Sequence, residues 1–214
     1  MKLLVLADHC EPGLWDYYTA RKTEGVDLIL SCGDLDPEYL EFLVTVVNKP
    51  LLYVRGNHDG VYDAKPPLGC TCIDGSVYDY QGLRIFGLGG SYRYRSGEDM
   101  YTEKQMRRRI WKASGKLFLS GGFDILLTHA AAYGYGDLQD LPHRGFDCFN
   151  DLMEQYKPSY MFHGHVHKEY GHFERELIHE SGTRIINCYG HVITEVDTGS
   201  STFTRAFPGK LKRL

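Results

Sequence analysis

The sequence of 214 residues has no long apolar run. The first apolar stretch, Leu3-Leu4-Val5-Leu6-Ala7, stops at Asp8. That is too short for the apolar region of a secretory signal, and no other stretch reaches the roughly 20 residues of a membrane-crossing helix. The sequence therefore reads as cytoplasmic, without a membrane partner. An excess of positive charge is also missing. The 24 Lys+Arg against 28 Asp+Glu leave a formal charge of -4, which does not draw the chain as a whole to nucleic acid or anionic lipid. Linkers, repeats and low-complexity segments are lacking, apart from a short basic tail at 210–213. One domain over 1–214 is expected. The six cysteines read as reduced thiols in that setting. Cys70-Thr71-Cys72 has no second cysteine pair to complete a zinc site, so it reads as small residues at a strand edge.

What is present alternates regularly in the first third. Residues 3–7 predict a strand, 14–23 a helix closed by Gly25, and 28–32 a continuously apolar strand covered on both faces. Asp36 with Pro37 predicts a helix start, running to about Val47, and 51–54 a third strand. This is a βαβαβ pattern with a parallel sheet. Further on, 77–80 and 83–88 around Gln81-Gly82 predict a hairpin. Thr102 with Gln105 resembles a capping box, opening a helix to about Lys116. Residues 123–128 predict a strand. Phe149, Leu152, Met153 and Tyr156 fall at helical spacing before Pro158, and 160–162 predict another strand. The segments 184–187, 192–196 and 202–207 read as antiparallel strands closing the domain. The result is a mixed α/β domain with more than one sheet.

The polar residues collect where these strands end. Strand by strand the chain shows Asp8-His9-Cys10, Gly33-Asp34, Gly56-Asn57-His58-Asp59, Thr128-His129 and Gly164-His165-Val166-His167. Eight of the ten histidines lie at or after His129. Any one of these is an ordinary turn or cap. Five strand ends carrying Asp, Asn or His together point to a metal site, because open α/β sheets place their sites there. Carboxylate, amide oxygen and imidazole suit Mn, Fe, Zn or Ni rather than calcium. The donors are too many for one tetrahedral ion, so two are expected. A pair of ions ~4 Å apart activates a bridging hydroxide and clamps the oxygens of an in-line displacement at phosphorus.

The motifs "ADHC", "CGDL", "RGNHDG", "LLTHA" and "FHGHVH" resemble, in order and spacing, the calcineurin-like metallophosphoesterase superfamily. The resemblance runs from Met1 to about Asn187 and is closest to the small phosphodiesterase branch. It implies a four-layer αββα sandwich of two mixed sheets flanked by helices, with two divalent metal ions and a small-molecule phosphate ester as substrate. It further implies that Asp8 and His167 hold the first metal, that Asp34 bridges, and that Asn57, His129 and His165 hold the second. His58 would stabilise developing charge or protonate the leaving oxygen, oriented by Asp59 or Asp36. The stretch "GDLDPEYL" has no arginine where the protein phosphatases of this superfamily carry one, which disfavours phosphoprotein as substrate.

The chain departs from the pattern at one position. Where the superfamily has the His of Asp-x-His, this chain has Cys10, and His9 falls one residue early. Strand alternation would put residues 8 and 10 on one face, so Cys10 is nearer the metal than His9. Two readings stay open: a thiolate ligand favouring softer ions, or a small residue lining a weakened first site. His143 and Arg144 lie on the loop after His129 that overhangs the site in this superfamily, where they would contact substrate or simply open a helix. His163 reads as a core histidine. Residues 93–116 hold eight basic and three acidic residues among tyrosines and Trp111, either a nucleic-acid platform or a solvated helix face. Besides a phosphodiesterase, a metal-poor binding scaffold (like the retromer subunit of this fold) and a nuclease are the alternatives. The chain carries every ligand position except the one at Cys10, which favours the enzyme. It lacks the extra domains with which larger family nucleases grip DNA.

Overall fold

The computed structural model describes residues 1–171 and 173–197. Its strands are β1 (Lys2–Ala7), β2 (Leu28–Ser31), β3 (Leu51–Tyr53), β4 (Thr71–Cys72), β5 (Val77–Tyr80), β6 (Leu83–Leu88), β7 (Ser91–Tyr92), β8 (Met100–Tyr101), β9 (Ile125–Thr128), β10 (Tyr160–His163), β11 (Glu176–Ile178), β12 (Arg184–Asn187) and β13 (Gly190–Glu195). Its α-helices are α1 (Pro37–Val47), α2 (Glu103–Leu119) and α3 (Asp147–Tyr156). One large sheet has the order β13-β1-β2-β3-β4, the other β11-β12-β10-β9-β6-β5, and β7 and β8 pair by themselves. Both are mixed. β1 to β4 run parallel with β13 against them, and β6, β9, β10 and β12 run parallel between antiparallel β5 and β11.

Alternation along β1 sorts its residues into two cores. Leu3, Val5 and Ala7 face Ile85, Ile125, Leu127 and Phe162 of the second sheet, while Leu4 and Leu6 face Tyr39, Leu40 and Leu43 of α1. On its far side the second sheet packs Phe86, Leu126 and Met161 against Met106, Ile110, Leu117, Phe149 and Leu152 of α2 and α3. The layers are therefore helix, sheet, sheet, helices. A strand covered on both faces is apolar along most of its length, which is why β1, β2 and β9 read as apolar runs broken only at one end, by Lys2, Ser31 and Thr128. Truncating Leu40 or Leu43 to Ala, both fully buried, costs ~2–5 kcal/mol by the void it leaves.

Local signals hold in several places. The hairpin turn puts Gln81 and Gly82 at φ 52° and 88°, as a two-residue turn between right-twisted strands requires. The Thr102–Gln105 capping box is formed in both directions.

Other expectations need correction. The predicted helix over 14–23 is two short 3-10 turns, Pro12–Leu14 and Ala20–Thr23. This segment has no apolar stripe at helical spacing. Instead Trp15 stacks on Tyr39 and Tyr18 meets Phe42 edge-on, so its rings are spent on α1. The ammonium of Lys22 then ties the carbonyls of Gly13 and Tyr17 together. Asp36 starts α1, but through its backbone carbonyl, without a side-chain cap. Residues 184–187 pair parallel with β10, and β13 crosses to the other sheet, antiparallel to β1. The predicted strand at 202–207 and the basic tail lie outside the described residues. No helix among the described residues is long and apolar enough to cross a membrane.

Candidate metal centre

The parallel strands of both sheets deliver their ends to one place. Asp8 follows β1, Asp34 follows β2, and Asn57 and His58 follow β3. His129 follows β9, and His165 and His167 follow β10. Three of these residues, Asp8, Asp34 and His165, have φ of 63°, 57° and 67°. A non-glycine residue in that region is costly and persists where surrounding contacts impose it, commonly at functional sites. Here the contacts are visible. Asp8 donates its N–H to the carbonyl of Gly33, and its carboxylate accepts the N–H of His165, which joins the sheets.

The buried half of the site holds Asp34, His129 and His165, each with a ligand-capable atom within 4.8 Å of the others. His129 is fully buried and donates from Nδ1 to the carbonyl of Cys32, at 2.9 Å. That fixes its tautomer and leaves Nε2 aimed at Asn57 Oδ1 (3.1 Å) and Asp34 Oδ2 (3.3 Å). In a neutral ring, Nε2 is an acceptor facing the Asp34 carboxylate and, in this orientation of the amide, Asn57 Oδ1, and a cation between these lone pairs satisfies all three. Without a metal, a proton takes that place. Burial works against it, but the facing Asp34 carboxylate pushes His129 above the ordinary histidine range. Burial likewise opposes Asp34, and the facing His129 outweighs it to hold that carboxyl below its usual range. His165 donates from Nε2 to the carbonyl of Pro142 at 2.8 Å, leaving Nδ1 as its lone pair. Burial, helped by neighbouring His129, pushes His165 down to about 3, so it stays neutral as a metal ligand must. Among the described residues, the buried Nδ2 of Asn57 has no partner. A Cβ on Gly56 would strike the Asp34 carboxylate and the His129 ring, and one on Gly164 would strike Asp8. The donor set and the space kept clear around it fit divalent cations.

The outer half is built differently. The side chain of Asp8 is buried, that of His167 is about one-third exposed, and its Nε2 lies 3.6 Å from Asp8 Oδ1. Cys10 does not join the buried group. Because β1 ends at Ala7 and Asp8 turns left-handed, strand alternation does not extend to position 10. Its Sγ lies 3.9 Å from Asp36 Oδ2, and burial beside that carboxylate raises the thiol to about 11. His9 is exposed and its ring faces Tyr189.

Around the centre, His58 is exposed, and its N–H donates to Asp34 Oδ1 at 2.8 Å. Among the described residues, no hydrogen bond joins its ring to Asp59 or Asp36. Asp59 serves the backbone instead. Its Oδ2 accepts the N–H groups of Asp34 and Gly56, stapling two site loops, and burial raises it to about 6. On the overhanging loop, His143 bonds Asp140 and packs its ring near His165 and Tyr170. The Arg144 guanidinium lies against the rings of Tyr92 and Tyr133. His163 is buried and neutral, pushed down to about 4 by desolvation. Of the basic segment, Arg107 is paired with Glu103 and Asp151, and Arg109 with Asp74. That removes two charges from any nucleic-acid platform.

The pattern of calcineurin-like phosphoesterases matches residues 1–169. The chain belongs to this family. Among relatives of this calcineurin-like phosphoesterase, the UPF0046 protein T07D4.2 of Caenorhabditis elegans is 31% identical over 118 residues. That alignment covers 54% of this chain and 27% of the longer relative. The crystal structure of TT1561 of Thermus thermophilus superposes with a TM-score of 0.60 over 88% of this chain and 89% of that one. At 15% identity it establishes the phosphoesterase fold alone. Several parts of this phosphoesterase site were not legible from residue types. The carbonyls of Cys32 and Pro142 orient two imidazoles, and a carbonyl leaves no trace in a sequence. Tyr170 and Tyr189 flank His167, and of these only Tyr170, three residues on from His167, carried a local signal.

Proposed function

We propose that this chain, as one domain over 1–214, is a metal-dependent phosphodiesterase acting on a small or nucleotide-like phosphate ester with two divalent cations. The observation that carries the proposal is the set of converging acceptors on His129, Asn57 and Asp34, which have no donor between them unless a cation or a proton occupies the gap. In this reading Asp8 and His167 hold one ion, Asn57, His129 and His165 the other, and Asp34 both. The ions, Mn, Fe, Zn or Ni, supply Lewis-acid activation of a water and neutralise charge on the phosphoryl oxygens.

The chain's own residues do the rest. His58, tethered by its backbone to Asp34 and open to solvent, donates a proton to the departing oxygen. Asp59 keeps His58 in place by stapling the loop that carries it. Arg144, pre-set by two tyrosine rings, and His143 contact the ester. Cys10 completes the outer half only if its thiol ionises and turns from Asp36. Its raised pKa supports the second reading, a weakened outer site in a member closer to a binding scaffold.

The test is metal analysis of the purified protein together with hydrolysis of a chromogenic phosphodiester. Asp34→Asn is expected to lower both metal content and rate, by more than the roughly 10–100-fold typical of losing a ligand's outer partner. Cys10→His is expected to shift metal preference toward Mn2+. Metal content and preference unchanged in Cys10→His would remove Cys10 from the ligand set. Low metal content with no hydrolysis would favour the metal-poor scaffold.

A further inference from the structure

The two histidines of the inner half are each oriented by a hydrogen bond from the ring nitrogen that does not face the site: His129 by Cys32 and His165 by Pro142. Among the described residues, His167 has no such bond. Among the described residues its one polar side-chain contact is the 3.6 Å approach to Asp8. What holds its ring is aromatic. Tyr170 stacks on it at 4.7 Å between centroids and 13° between planes, and Tyr189 meets it at 4.7 Å and 36°.

Both walls are themselves fixed. Lys168–Tyr170 is a 3-10 turn capped by His167, with the N–H of Tyr170 donating to the His167 carbonyl. Side chains three apart eclipse in such a turn, so Tyr170 falls onto the His167 ring. Tyr189 comes from the crossing between β12 and β13, and its backbone bridges to Ala7, next to Asp8. Asn187, buried, sets the distance between the walls: Oδ1 accepts the N–H of Tyr189 and Nδ2 donates to the carbonyl of Val166. It thereby ties the His165–His167 loop to the far wall.

We propose that Tyr170 and Tyr189 are positioning residues that clamp the His167 ring between them and so set the affinity of the outer cation, with Asn187 as the spacer. The proposal rests on the two-cation reading above. An aromatic pair stabilises beyond its burial and restricts tilt without fixing a tautomer. The outer ion is accordingly the more weakly held and more exchangeable of the two.

Calorimetric titration of the metal-stripped full chain with Mn2+ tests this, using Tyr170→Leu and Tyr189→Leu beside Tyr170→Phe and Tyr189→Phe. The Leu variants are expected to bind the weaker equivalent roughly tenfold less tightly, at the lower end of what losing an outer partner of a ligand costs. The tighter equivalent stays unchanged, and the Phe variants, which keep the ring, behave as wild type. Leu variants that bind both equivalents as wild type does overturn the clamp, and so do Phe variants as impaired as Leu. A second readout needs no metal. The His167 ring protons, observed by NMR in the stripped protein, are expected to carry ring-current shifts that each Leu variant reduces. If wild type takes one Mn2+ only, the two-cation reading falls, and the ring-current shifts alone decide whether the clamp exists. Their absence in wild type overturns it.

Discussion

The inner and outer halves of the centre use the same residue types and differ in how they are held. In the inner half, Asp34 and His129 face each other inside the protein, with side chains 9% and 0% exposed, and backbone carbonyls orient both imidazoles. In the outer half, His167 is 30% exposed and rests between tyrosine rings, and the thiol of Cys10, pushed up to about 11 by burial, is directed at Asp36. Hydrogen bonds in a dry interior fix direction, whereas stacking at a rim permits sliding. One centre can thus be rigid on one side and tunable on the other.

The sharpest way to break this comparison is to remove one imidazole from each half. If Asp34 holds both ions, as proposed, His129→Ala is expected to empty both halves, because Asp34 loses its partner. His167→Ala is expected to keep one equivalent of Mn2+. Equal metal content in the two variants, measured after gel filtration, would dissolve the distinction.

A smaller effect, on stability, comes from the staple beneath the inner half. Asp59→Ala leaves the N–H groups of Asp34 and Gly56 without their acceptor, at about 1–3 kcal/mol for each group that stays buried. Urea unfolding of the stripped protein reads this directly. A midpoint equal to wild type would show that the loops do not depend on it.

The smallest effect is on pH. In the stripped protein Asp34 keeps a proton on His129 above the ordinary histidine range, and a metal must displace it. The proton competes less as pH rises, so the affinity of the tighter equivalent is expected to climb between about pH 6 and 8 and each uptake to release a proton. Calorimetry in buffers of different ionisation enthalpy measures that release. A pH-independent affinity would mean that His129 is already neutral.

Much of the fold was legible because its signals are local. The apolar runs of β1 and β2, the Thr102–Gln105 box and the Gln81-Gly82 turn each depend on residues within a few positions. The segment after Pro12 was misread because its aromatic residues answer to α1, which is packed against it in space but distant in sequence. The parallel pairing of 184–187 with β10 was missed for a related reason. Nothing within 184–195 shows that the chain leaves one sheet after β12 and joins the other at β13.

The same division holds at the site. Residue types and spacing by themselves determined that polar groups end five apolar strands, and parallel strands must bring such ends to one edge of a sheet. Which lone pairs meet was decided only by tertiary structure. Left-handed backbone at Asp8 and Asp34, carbonyls of Cys32 and Pro142, and the rings around His167 aim each donor. These are directions in space imposed by neighbours from other strands, and a one-dimensional pattern does not encode them.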